Sequence, residues 1–244
     1  MTKIMFLIPP SEGKNSDNTF EKEELSFEFE KPCDIATSVT EKDLKCTGKR
    51  FEEGVELNKN ICREGKISFP TDIAINRYSG VMFSAIDYEN MNNIGKKYFE
   101  EKFLILSGLY GIVKVKDKIG NYKLPIESKG LLDFWGDKII EEINIINPDF
   151  VVNLLPISYS KVIFGKNKSI EKVFSKKRNF KIINVNFIKP DGKKISHGVK
   201  KIKGEWIKNI CEKNISDYKD FGGEIIENGN IIDVNIRLFL KSIR

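Results

Sequence analysis

Two short apolar runs with a helical repeat between them restrict the architecture open to this chain. Phe103–Leu106 and Asp149–Leu155 each have the length and content of a buried strand. Between them Leu131, Phe134, Trp135, Ile139, Ile143 and Ile146 recur near helical spacing and stop just before Pro148. Strand, amphipathic helix and strand make a βαβ unit, which calls for a parallel or mixed sheet with the helix laid on its face. Lys3–Ile8 reads as a further buried strand, halted by Pro9 and Pro10. Phe180–Ile188 alternates as a strand, and Lys189-Pro-Asp-Gly turns it into a hairpin with 194–199, followed by a helix over Glu205–Asn214. The tail from Tyr218 reads as turns and strands. The expected fold is α/β (α+β), a central mixed sheet flanked by helices in one compact domain spanning 1–244.

Length and composition agree with a single domain. The chain has 244 residues, 40% of them hydrophobic, enough to bury a substantial core. It contains no run near the roughly 18 apolar residues of a membrane helix. Met1–Pro10 meets two prolines and then charge before a signal peptide could form, so no membrane association and a cytoplasmic location are expected. Cys33, Cys46, Cys62 and Cys211 form no CxxC and read as reduced thiols. An oxidant-sensing thiol among them would need a depressed pKa or an exposed setting. His197 is the single histidine, so no multi-histidine metal site can form within one chain, and no metal or cofactor is expected. Neither GxGxxG nor GxxxxGK[ST] follows a strand. The chain is expected to be a monomer.

Charge is unevenly placed. Residues 161–208 hold fifteen Lys or Arg against three acids, a balance of +12 that leaves −6 for the rest of a chain whose total is +6. Such asymmetry is the footprint of a polyanion binder, or equally of a solvated lysine-rich face. Within it, Lys200, Lys201 and Lys203 precede Gly204. A second basic element is a short helix after the Thr40–Asp43 cap, a turn at Thr47-Gly48 and a helix from Lys49 to Asn60, together a helix-hairpin-helix-like segment over about 40–62. There Lys45, Gly48, Lys49 and Arg50 can meet a phosphate, although two helices joined by a glycine commonly just pack together. Residues 15–40 read as a polar surface excursion, and 74–88 as a strand or buried turn.

Polar residues at predicted strand ends suggest a pocket. Ser11-Glu12-Gly13-Lys14 follows the first strand, where α/β sheets place their sites. Tyr110, Asn121, Tyr122 and Lys123 follow the central strand, and Asn153 and Tyr159 the next. The tyrosines suit either stacking on a ligand or core positions with satisfied hydroxyls. Lys14, Tyr122, Lys123 and His197 are the candidates for catalysis. A lone histidine more often serves structure than chemistry.

The blocks LIPPSEGK, LSGLYGIV, NYKLPIES, FWGDKI, VVNLLPISYSKVI and KKIKG, in that order, resemble the YaaA family of peroxide stress resistance proteins. Pro10 and Lys14 match the family's early Pro and Lys, and Tyr78-Ser-Gly80 matches another block. The resemblance implies a bacterial cytosolic protein with a single unusual α/β fold, protecting DNA and proteins under hydrogen peroxide. It also implies, by likeness of some members to DNA-binding proteins, a helix-hairpin-helix element and a basic cleft.

Two functions follow. The first is a DNA-binding protein of the peroxide response that holds duplex or branched DNA through a basic cleft without strong sequence specificity, its affinity falling with salt. The alternative is an enzyme acting on a nucleotide, nucleobase or other small polar substrate in a pocket built from Pro10, Lys14, Tyr78, Tyr110, Asn121, Tyr122, Lys123, Asn153 and Tyr159. Iron handling is a third reading, which would need scattered carboxylates and one histidine.

Overall fold

The buried apolar runs pair as the centre of a seven-stranded mixed sheet. In the computed structural model, which describes residues 3–16, 22–63, 70–164, 179–195 and 197–238, β1 (Ile4–Ile8) is buried at every position. It lies between β3 (Phe103–Ser107) and β6 (Phe150–Asn153), parallel to both. The remaining strands are β4 (Gly111–Lys114), β7 (Lys181–Ile188), β8 (Glu224–Asn228) and β9 (Ile231–Arg237), in the order β4-β3-β1-β6-β7-β9-β8. Only the edge strands β4 and β8 run antiparallel to their neighbours. A separate ribbon pairs β2 (Thr71–Ile73) with β5 (Lys118–Gly120).

Strands buried on both faces need covering on both. Phe6 stacks on Phe103 at 4.4 Å and meets Tyr98 of α6 (Asn93–Lys102) and Trp206 of α9 (Val199–Glu212). The predicted amphipathic helix is α7 (Leu131–Ile146), which packs on β4, with a local break at Gly136. Trp135 is fully buried there, and its Nε1 donates to the Gly108 carbonyl at 2.8 Å. Trp135 is thus a packing residue. The core forms one continuous cluster. Among the described residues no helix is long and apolar enough to cross a membrane.

Several sequence readings change. Within 15–40, the described residues Leu25, Phe27 and Phe29 pack against the core and Cys33–Thr37 forms α1, so this stretch is half-buried cover and not a surface excursion. Residues 74–88 hold two short helices, α4 (Ala74–Arg77) and α5 (Val81–Ile86), where a strand or turn was expected. The hairpin after β7 reduces to an isolated bridge between Ile188 and Lys194. The reason is competition for edges: β9 covers one side of β7 to Ile188, and β6 covers the other to Asn184. Only the last residues of β7 remain open to Lys194 and Ile195. The helix then starts at Val199, not Glu205, which leaves His197 exposed in the bend before it and not on a strand.

The basic hairpin consists of α2 (Glu41–Leu44), a single turn, and α3 (Lys49–Ile61). Thr40 and Asp43 form the reciprocal cap their spacing predicted. Between the helices Lys45 and Gly48 both take positive φ. Six of the fifteen cations counted over 161–208, Lys166, Lys168, Lys172, Lys176, Lys177 and Arg178, lie outside the described residues.

Candidate functional site

Because β1, β3 and β6 are parallel, the segments leaving them, from Pro9, Gly108 and Leu154, emerge along one edge of the sheet. Glycine brings the second of these against its neighbour: a Cβ on Gly108 would overlap the backbone carbonyl of Leu124. The same edge carries α2 and α8 (Ile157–Phe164). Pro10, Glu12, Lys14, Leu44, Tyr122, Lys123, Pro125 and Tyr159 line a cleft there. It is narrow, about 20 Å³, which suits one water-sized group.

Lys14 is the central side chain. Its backbone bridges to Tyr78, while its Nζ donates to the Ser11 carbonyl at 3.1 Å and lies 4.1 Å from the centre of the Tyr122 ring. The ring face favours the ammonium. Burial opposes it and wins, helped by the positive charges of Arg77 and Lys123 over the opposing charge of Glu12, and the pKa falls from 10.5 to about 7. A shift in this direction brings the neutral amine, which is both a base and a nucleophile, within reach of neutral pH.

Behind this amine runs a chain of buried hydroxyls. Ser107 Oγ accepts N–H groups from Leu109 at 3.2 Å and Tyr110 at 2.9 Å. With both lone pairs engaged, its own hydrogen points to the Tyr122 hydroxyl, 2.7 Å away, and the Tyr122 and Tyr78 hydroxyls share a further hydrogen bond of 2.8 Å. Burial raises the Tyr122 phenol to about 12 and Tyr78 well above its ordinary value, so both stay protonated. Burial likewise raises Tyr159.

Lys123 is fixed by other means. The buried Asn58 side chain accepts its N–H and donates to its carbonyl, each at 2.9 Å. Its stem crosses Gly54, where a Cβ would stand 2.9 Å from Lys123 Cδ. Its Nζ ends 3.0 Å from Cys46 Sγ.

The other pocket candidates divide. Pro10 and Tyr159 line the cleft, and Tyr78 supports it through Tyr122. Tyr110 is a buried structural residue whose hydroxyl donates to Glu23 at 2.9 Å and accepts from Gly120 N–H at 3.0 Å. Asn121 is half-buried beside Tyr122 but outside the cleft wall. Asn153 ties off β6, donating to Asn184 and accepting from Leu155 N–H. His197 lies away from the cleft wall. Sequence reasoning did not single out Ser107, Gly54, Asn58 or Cys46; Ser107 stood in plain view at the break where β3 ends. It also missed an open cavity of about 350 Å³ on the other side of Tyr78, lined by Asn15, Asn76, Ser79, Ser84, Asp87, Tyr88 and Glu89.

The basic candidates are less uniform than their spacing suggested. Lys45 pairs with Glu127, and Lys49 Nζ lies 3.8 Å from Glu53, while Arg50 and Gly48 are exposed. Lys200 is exposed, and Lys201 is 3.7 Å from Glu205. Lys203 turns inward and donates to the Leu154 carbonyl at 2.8 Å, with burial lowering its pKa to about 8. Gly204 is required by packing, since a Cβ there would overlap the Met82 carbonyl oxygen on α5. No group of three or more His, Cys, Asp or Glu suited to a metal occurs among the described residues.

Comparison with known proteins places the chain in a family. A UPF0246 protein of Fusobacterium nucleatum is 28% identical over 235 residues, 89% of this chain and 88% of that one. A UPF0246 protein of Clostridioides difficile is 31% identical over 185 residues, 73% and 72% of the two chains. One of Finegoldia magna is 37% identical over 97 residues, 39% and 38%. Residues 4–225 match the model of the peroxide stress protein YaaA, and the chain belongs to that family.

Proposed function

We propose that this chain serves the peroxide stress response as a cytoplasmic enzyme whose working group is the Lys14 amine. Its substrate is a small polar molecule, a nucleotide or nucleobase among the candidates, that presents one carbonyl or acidic group to the cleft. The observation that carries this reading is a lysine amine lining a cleft at the strand ends, 4.1 Å from the centre of the Tyr122 ring, where α/β folds concentrate their chemistry and where burial lowers its pKa toward 7. A neutral Lys14 can take a proton or attack a carbonyl carbon, and Lys123 offers positive charge at the cleft's side. The Ser107–Tyr122–Tyr78 hydroxyl chain holds the ring on which the amine rests.

A second reading, binding of duplex or branched DNA, is favoured by the exposed cations Lys189, Lys193, Lys194, Lys200 and Lys201 around the start of α9. One experiment separates the two. Thermal shift against nucleotides, nucleobases and small carbonyl compounds is run on the wild type, Lys14→Met and Lys200→Glu/Lys201→Glu, alongside DNA retention at several salt concentrations. The enzyme reading predicts a ligand shift lost in Lys14→Met alone. Retention lost in the double glutamate variant, with no ligand shift in any form, supports DNA binding instead.

A further inference from the structure

The Cys46–Lys123 contact is unlike the other thiol settings in the molecule. Burial pushes the Cys211 thiol up, and burial together with a hydrogen bond to Cys33 does the same to Cys62, so both are held as thiols that react slowly. Cys46 is only half-buried, next to the exposed Thr47-Gly48 turn, and its sulfur receives the Lys123 Nζ–H at 3.0 Å. The amine is placed there by the fold. Asn58 anchors the Lys123 backbone at both its N–H and its carbonyl, and the missing side chain at Gly54 leaves the track along which the lysine stem runs. Nothing in the Lys14 chemistry calls for a thiol at this point.

We propose that Cys46 and Lys123 are a peroxide-modified pair that closes to a sulfur–nitrogen bond. The thiolate sulfur attacks one oxygen of hydrogen peroxide, the O–O bond breaks and an S–O bond forms. The hydroxide released takes a proton from the Lys123 ammonium and leaves as water. The neutral amine then attacks the sulfenic sulfur: an N–S bond forms, the S–O bond breaks, and the departing hydroxide leaves as a second water with another proton from nitrogen. One peroxide is reduced to two waters, and sulfur is oxidised by two electrons. Sulfenic acids condense with backbone nitrogen to give sulfenamides, and here the nitrogen within 3.0 Å of the sulfur is the Lys123 amine. Added thiol reverses the bond by attack at sulfur.

Closure would withdraw the Lys123 charge, one of those that lower the Lys14 pKa, and so would make the Lys14 cleft responsive to peroxide. That consequence rests on the functional reading of Lys14; the bond itself does not.

The test is to treat the full chain with hydrogen peroxide near equimolar amounts, digest it without reductant and analyse it by mass spectrometry. The expected product joins the Cys46 and Lys123 peptides with loss of two hydrogens and is released by dithiothreitol. Lys123→Arg should lose the linked peptide and trap dimedone at Cys46, Cys46→Ser should lose both, and Gly54→Ala, which displaces the lysine stem, should reduce the yield. Cys46 stopping at sulfenic or sulfinic acid in the wild type, or remaining unoxidised while another cysteine reacts, overturns the proposal. Neither result alters the titration of Lys14, so the two readings fail separately.

Discussion

Replacing Gly204 by Ala tests whether α9 is seated as closely as the structure places it. In an exposed helix interior the change stabilises by roughly 1 kcal/mol, because alanine surrenders less conformational freedom. At Gly204 the sign should reverse. The added methyl would overlap the Met82 carbonyl oxygen and stand 2.6 Å from Ala85 Cβ and 3.0 Å from Ile86 N, where contacts under 3.0 Å do not survive. The obstacle is the backbone of α5 rather than a movable side-chain tip, so α9 must lift. Trp206, Ile207 and Ile210, all buried, lift with it, and the Lys203–Leu154 hydrogen bond is stretched. Overpacking of this kind destabilises by about 1–3 kcal/mol. At about 2–4 °C per kcal/mol for a chain of this size, the melting temperature should fall by roughly 2–12 °C. Circular dichroism melts of the two proteins at pH 7 measure it directly. A variant that melts at or above the wild type would refute the close crossing and the packing reason given for this glycine.

Further expectations concern the hydroxyl chain, the asparagine anchor and pH. Tyr122→Phe strands the hydrogen of Ser107 and removes the hydroxyl partner of Tyr78, so urea unfolding should show a loss of about 1–3 kcal/mol, with non-additivity when combined with Tyr78→Phe. Asn58→Ala deletes bonds to Lys123 and Ala36 in a fully buried setting and should destabilise by about 3 kcal/mol, with the Lys123 peptide losing protection from hydrogen exchange. Lys14 and Lys203 both have folded pKa values below the unfolded one, so between about pH 7 and 10.5 the unfolded chain binds more protons and these groups make stability rise with pH. Lys14→Met should flatten the part of that rise beginning near pH 7, and an unchanged pH profile would count against a buried amine.

How far the sequence reveals this molecule depends on whether the information is local. β1, β3, β6 and α7 were legible because a strand buried on both faces must be apolar throughout and a covering helix must repeat near 3.6. The shortening of the hairpin after β7 to one bridge was not, since how far the returning segment pairs depends on how far β6 and β9 already cover β7. Periodicity likewise carries no sign of α4 and α5, each too short to repeat. At the site, Lys14 and Tyr122 stood out as polar residues beyond strand ends. A glycine's purpose is likewise not local information: Gly204 ends a lysine-rich block, and only the approach of α5 shows that it serves helix packing. Lys203 illustrates the same limit. Its charge suggested solvent, and the helical phase that turns it toward Leu154 became visible only once α9 was placed to start at Val199.

The most direct test of the Lys14 cleft is the titration of that one amine. Competitive acetylation of the full chain across pH 5–11, read for each lysine by mass spectrometry, gives the midpoint for Lys14 against the surface lysines in the same sample. A midpoint near the value of about 7 that burial imposes on Lys14, well below the ordinary lysine value of 10.5, is the predicted result. A midpoint near 10.5 would show that the ammonium persists in the cleft, and Lys14 would then be neither base nor nucleophile at neutral pH.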